Sequence, residues 1–387
     1  MRVGAPALSS LMPTLDPQQL AAEAPGRVSP ANRFGVDYRV AAARMGPPPV
    51  PITDIHLHIN GPGASRVYAG AAEHYGVAKV LTQTRRSDAP AVRELLGDNA
   101  CFVAVPNWTH PDKPKVFREG FLEEIREWHA LGARVVKLWA APRLWDIAGG
   151  DPADVVPMDS EWRVRAAELA TGLGMMIMTH TGDPDTWFKA KYSDATKYRT
   201  KQQQYIGLER MLDRFTVPWI GAHMGGSPED LGFLDGMLTR HANLHLDTSA
   251  TKWVVRELSK HPRERVREFF TRWRGRLFFG SDIVTLEDHM KPRTTPTPAT
   301  PMSDLASSPE EAFDLYASRY FALRLMFETD YDGESPIADP DLMMVEPKGH
   351  DSMSAPRLRG LALPADELRE LYRDAADRLV FHWIRTH

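Results

Sequence analysis

The residues best equipped for chemistry in this chain are a small set of histidines and aspartates. His56 and His58 stand two apart in Thr53-Asp54-Ile55-His56-Leu57-His58, while His180, His223, Asp247 and Asp282 each close a short apolar run. Side chains alternate faces along an extended strand, so two imidazoles at i and i+2 can reach one cation. On this reading Asp54, His56 and His58 point into one space, and Ile55 and Leu57 point away from it. Imidazoles together with a carboxylate suit one first-row divalent metal ion, zinc first, with Mn, Fe or Co as alternatives. Such an ion acidifies water and polarises a substrate oxygen. A lone His-x-His is weak support, because paired histidines are often only satisfied polar groups. Position strengthens it: of fourteen histidines, His56, His58, His180 and His223 fall at the ends of apolar runs, and only His245 lies elsewhere in one.

Such far-separated residues need a scaffold that gathers strand ends. From Pro51 onward, short runs rich in apolar and β-branched residues alternate with longer amphipathic stretches. The runs are Ile52–His56, Ala78–Leu81, Cys101–Pro106, Arg134–Leu138, Met175–His180, Pro218–His223, Asn243–Asp247 and Arg276–Asp282. Helical spacing over Phe117–Leu131 stops at Gly132, and over Glu161–Leu173 at Gly174, where a C-capping glycine belongs. Pro228–His241 fills the sixth gap. Eight strands in series with crossover helices predict an α/β fold of the TIM-type (β/α)8 barrel, whose active sites form at the C-terminal strand ends.

Residues 1–50, rich in Ala, Pro and Gly, read as an N-terminal arm or linker, with the barrel spanning 51–387. An insertion of about 286–360 follows the eighth strand. It contains a Pro/Thr run from Pro292 to Pro298 expected to form a mobile loop, a helix near Glu310–Phe327 and a loop to Ser352. Pro364–His382 gives a terminal helix. The apolar fraction of 43% and charged fraction of 25% can build a sizeable core. A net charge of −4 with interleaved signs argues against nucleic acid or an anionic membrane as partner. One cysteine, Cys101, fits a reducing compartment, and neither a leader nor a membrane span is evident. A cytoplasmic protein acting on a small molecule is expected.

The phrases TDIHLHI, MTHTGDP, GAHMGG, LDTSA and FGSD resemble the amidohydrolase superfamily, in particular its amidohydrolase-2 branch. That branch includes aminocarboxymuconate-semialdehyde decarboxylase and lactone hydrolases. The likeness spans about residues 51–285 and the closing helix. It implies that His56, His58, His180 and Asp282 hold the metal. His223 would lie beside it, with general-base duty on His223, Asp282 or both. The resemblance also suggests a homodimer.

Lys137, at the fourth strand's end, is costly in a barrel mouth unless it has a task. It is read as a cation for an anionic substrate, as a carbamylated lysine bridging two metals, or as a structural ion pair with Asp247. Branch members often continue this strand with Leu-His-Pro, whereas here Leu138-Trp139-Ala140 follows, so that histidine's role is missing. Asp247 reads as a carboxylate behind a ligand or as a turn stabiliser, and Asp54 as a buttress of the first strand. Trp139, Arg143 and Trp145, then Asp183, Trp187 and Phe188, then Lys252 and Trp253, occupy the loops that set specificity or cover the rim. Trp139 and Arg143 join Lys137 as substrate-binding candidates, with Arg143 the carboxylate partner.

The expected reaction is hydrolysis of an amide, ester or lactone of a small substrate, possible aromatic or carboxylated character included. The alternative is non-oxidative decarboxylation or hydration of a small carboxylic acid on the same residues. A non-catalytic barrel would be expected only if a ligand were lost, and none is.

Overall fold

The computed structural model describes residues 15–292 and 305–387. Eight strands pair in sequence order, all parallel: β1 (Ile52–Leu57), β2 (Val77–Thr82), β3 (Ala100–Ala104), β4 (Val135–Trp139), β5 (Met176–His180), β6 (Trp219–Gly221), β7 (Leu244–Asp247) and β8 (Leu277–Phe278). Just past β8 the ladder closes onto β1. Ile55 N donates to Phe279 O at 3.0 Å, Asp282 N to His56 O at 2.8 Å and His58 N to Ile283 O at 2.7 Å. The architecture is the expected (β/α)8 barrel.

The strands form where apolar residues can be covered on both sides. Leu81, Val103, Val135, Met176, Met178, Ile220 and Phe278 meet inside the barrel. Val136, Leu138, Ile177, Leu246 and Phe279 join the outer layer with the helices. Helix Glu119–Ala130 shows how that layer is built. Phe121, Ile125 and Trp128 are buried on one face, each worth roughly 1.5–3 kcal/mol of apolar burial. The chain then turns at Gly132, whose φ of 93° an L side chain resists. The terminal segment after Pro364 brings Val380 and Phe381 against the interior cluster.

The first strand departs from simple alternation. Its register with β2 shifts between Ile52 and Thr53 and again between Asp54 and Leu57. Consequently Ile55 packs with the interior set, and Asp54 turns away from the mouth to meet Tyr320 of helix Pro309–Glu328 at 3.0 Å. The expectation that Asp54 shares a face with His56 fails for that reason. Asp54 instead buttresses β1 and the β8 tip: its oxygens accept from His56 N at 3.1 Å and from Ser281 Oγ at 2.6 Å.

The described part of the N-terminal segment carries helices Pro17–Glu23 and Tyr38–Met45, and Tyr38 stacks obliquely on Phe321 with ring centroids 5.5 Å apart. In the insertion, helix Pro309–Glu328 is almost wholly buried, and strands Asp332–Glu334 and Arg357–Arg359 pair antiparallel. The expected mobile Pro/Thr loop lies, beyond Pro292, outside the described residues. Among the described residues, no helix is long and apolar enough to cross a membrane.

Candidate metal centre

At the C-terminal strand ends, one nitrogen of His56, one of His58 and one carboxylate oxygen of Asp282 lie within 4.8 Å of one another. His58 Nε2 is 3.3 Å from Asp282 Oδ1, and His56 Nε2 is 3.7 Å from the same oxygen. A second group, His56, His223 and Asp247, meets the same spacing. These two groups overlap at one buried imidazole. That overlap organises the site.

Asp247 fixes His56. Its Oδ2 lies 2.8 Å from His56 Nδ1, so the ring donates there and leaves the Nε2 lone pair facing the mouth. Asp247 Oδ1 accepts from the backbone N–H of His223 at 2.9 Å and of Ser249 at 3.0 Å. Burial pushes the Asp247 carboxyl up, but the His56 ring hydrogen-bonded to it outweighs burial and holds the group well below the usual carboxylate range. Burial likewise opposes ionisation of Asp282, and the hydrogen bond from His58 with the neighbouring imidazoles overrides it. Both carboxylates stay ionised, as ligands or acceptors must.

The histidine pKa values move the complementary way. Burial, then the Lys137 cation, lowers that of His56, and burial, then His180, lowers that of His223 well below its ordinary value. Neutral imidazoles keep lone pairs for a cation.

His180 sits one step further round. Its Nε2 is 3.0 Å from Asp183 Oδ1, and its Nδ1 is 3.1 Å from His223 Nε2. A donor at the carboxylate leaves Nδ1 to accept, so the hydrogen bonds run from His223 Nε2 to His180 and on to Asp183. Among the described residues His180 belongs to neither metal-ready group and reaches them through His223. His223 Nδ1 in turn faces Ser249 Oγ at 2.7 Å.

The backbone at these tips is unusual. His223 and Asp282 both have φ of 58°, a left-handed conformation that non-glycine residues avoid. It ends pairing early in β6 and β8, which are shorter than their apolar runs. Gly226 and Gly280 permit the close packing behind it. A Cβ on Gly226 would lie 1.8 Å from Thr181 O, and one on Gly280 would press His56 Cβ at 3.1 Å.

Lys137 Nζ lies 3.2 Å from His56 Nε2. Burial pulls its pKa down to about 8, while Asp247 and Asp282 pull upward. Trp139 pairs in register with His180, and the two rings meet edge-on at 6.2 Å. Arg143 stands exposed at the start of helix Leu144–Ile147. Sequence reading did not single out Ser249, whose hydroxyl touches Nδ1 of both His56, at 3.0 Å, and His223. Its place two residues after Asp247 was the available signal.

A sequence model of the Amidohydrolase family matches residues 58–381. No curated protein matches the chain. Among solved structures, a metal-dependent hydrolase, so described, from Lactobacillus casei has 13% identity, covers 87% of this chain and 97% of its own, and gives a TM-score of 0.48. The 5-carboxyvanillate decarboxylase of Novosphingobium aromaticivorans, solved with manganese, has 11% identity, covers 87% and 96%, and gives 0.42. A probable 2-pyrone-4,6-dicarboxylic acid hydrolase from Acinetobacter baumannii has 11% identity, covers 76% and 99%, and gives 0.40.

Proposed function

Because the chain belongs to the amidohydrolase family, we propose that it is a metal-dependent hydrolase acting on an amide, ester or lactone of a small carboxylated substrate. The observation that carries this reading is the convergence of His56 Nε2, His58 Nε2 and Asp282 Oδ1 at strand tips beside buried His223. The donor set fits a divalent cation: imidazole nitrogens and an ionised carboxylate, with Asp247 behind the His56 ring. His56, His58 and Asp282 would hold it, with His180 as the fourth donor once one of its hydrogen bonds is exchanged. Zinc suits this set first, and Mn, Fe or Co also suit it.

When bound, the ion supplies an acidified water and a polarised substrate carbonyl. The chain's own groups do the rest. Asp282 keeps a carboxylate oxygen free of protons for the attacking water. His223 Nε2 carries a proton that it can pass to the leaving atom once His180 Nδ1, which accepts it here, is given over to the ion. Lys137 Nζ steadies negative charge growing on the reacting oxygen.

One observation favours decarboxylation or hydration as a second reading. Lys137 places a cation directly at His56, where a departing or retained carboxylate could bind. Zinc-loaded protein should release acid from an ester, lactone and amide panel, and a chelator should stop it. Release of CO2 from aromatic carboxylates, without turnover of that panel, would replace hydrolysis with the second reading.

A further inference from the structure

A line of aromatic rings runs from the metal centre to the rim of the mouth. Trp139 pairs in register with His180 across β4 and β5, so both side chains project on the same side of the sheet. Two residues earlier on that face, Lys137 Nζ comes to 3.2 Å from His56 Nε2, which puts the Trp139 ring one step above the centre. The Trp139 and His180 ring centroids are 6.2 Å apart, with the planes at 86°. Trp108, in the loop after β3, meets Trp139 in the same way, at 5.2 Å and 85°. Its backbone oxygen accepts from Lys113 Nζ at 2.7 Å, which ties the loop down.

These two indoles are open and yet fixed. Trp108 is 37% exposed and Trp139 only partly covered. Trp139 packs against the cluster of Phe117, Leu144 and Val155, and the Trp108 ring lies 5.4 Å from that of Phe117. Trp253 makes the contrast. Its ring stands 6.1 Å from that of His223, but it is buried, and its Nε1 donates to Glu229 Oε1 at 2.8 Å. Trp253 therefore backs the site, while Trp108 and Trp139 face what enters it. Two indoles held at right angles form a corner, where a third planar ring can stack offset on one and meet the other edge-on. Those are the two arrangements aromatic rings prefer, and an aliphatic ring in the corner gains burial without them.

We propose that Trp108 and Trp139 form an aromatic wall that selects substrates by a planar ring, seated in the corner with its reacting group toward His56 and Asp282. The wall rests on the hydrolase reading of the site and adds to it the class of substrate: an aromatic acid derivative rather than an aliphatic one. Trp139 is the deeper contact, at the histidines, and Trp108 closes the ring's outer edge.

The test uses the full chain, loaded with zinc, and calorimetric titration with benzoate and with cyclohexanecarboxylate, which share charge and ring size but not planarity. Wild-type protein should bind benzoate roughly three- to tenfold more tightly, the scale of one aromatic pair. Trp139→Leu and Trp108→Leu should each remove most of that preference, Trp139→Phe should keep part of it, and zinc content should match wild type. Trp108 stands exposed at the rim, and circular dichroism on its variant checks the fold. No preference in wild type, a preference kept in both Leu variants, or equal losses for the two acids would overturn the wall. Zinc uptake without a preference for benzoate keeps the metal reading and discards the wall. A chain that takes up no zinc, or turns over no ester, lactone or amide, yet prefers benzoate until Trp139 is replaced, keeps the wall and discards the hydrolase reading.

Discussion

Asp247→Asn is the sharpest probe of the centre because it alters charge and hydrogen-bond direction but hardly any volume. Asp247 is fully buried, and its Oδ2 takes the proton of His56 Nδ1 at 2.8 Å. An asparagine keeps one acceptor for the His223 and Ser249 N–H groups. It then turns its NH2 toward His56, which forces Nδ1 to accept and moves the ring proton to Nε2. That nitrogen is the one that faces Asp282 and would bind the ion. A hydrogen bond to a charged group contributes about 1.5–3 kcal/mol, and each 1.4 kcal/mol is about a decade in affinity. Zinc should therefore bind roughly ten- to hundredfold more weakly, the range expected when the partner behind a ligating histidine is lost. Competition against a fluorescent chelator measures this, with circular dichroism confirming the fold. Affinity within about threefold of wild type would show that Asp247 does not set the His56 tautomer.

Asp282→Ala should lose bound metal and turnover together, whereas His223→Asn should keep metal and lose roughly 10²–10⁴ in kcat; metal-to-protein ratios on both variants check the division of roles. Wild-type protein should carry nearer one ion than two, and two ions with added mass on Lys137 would instead favour a carbamylated lysine. His245, stacked on Phe278 at 5.4 Å, has its pKa lowered to about 4, first by burial and then by Arg276. The unfolded chain takes up that proton near pH 6.5 and the folded one only near 4, so its stability contribution is lost as pH falls between those values. Urea unfolding at pH 7 and 4.5 should reveal a loss of about 2–3 kcal/mol from this residue that His245→Phe abolishes.

Much of this protein is legible in its residues alone. Each apolar run became a strand because apolar side chains at every position demand cover on both faces, and a parallel barrel provides it. The glycines after two amphipathic runs ended their helices. His56, His58 and Asp282 meet because strand tips converge on one axis, a consequence of topology that needs no knowledge of loops.

Tertiary structure alone decided the rest. A slip in the β1 register turned Asp54 outward and Ile55 inward, and no strict two-residue period anticipates a bulge. The reach of Ser249 to the rings of His56 and His223 depends on how separate segments pack. Local sequence specifies conformation through near neighbours. Contacts between segments far apart in the chain are settled only when the barrel closes and its loops find their course.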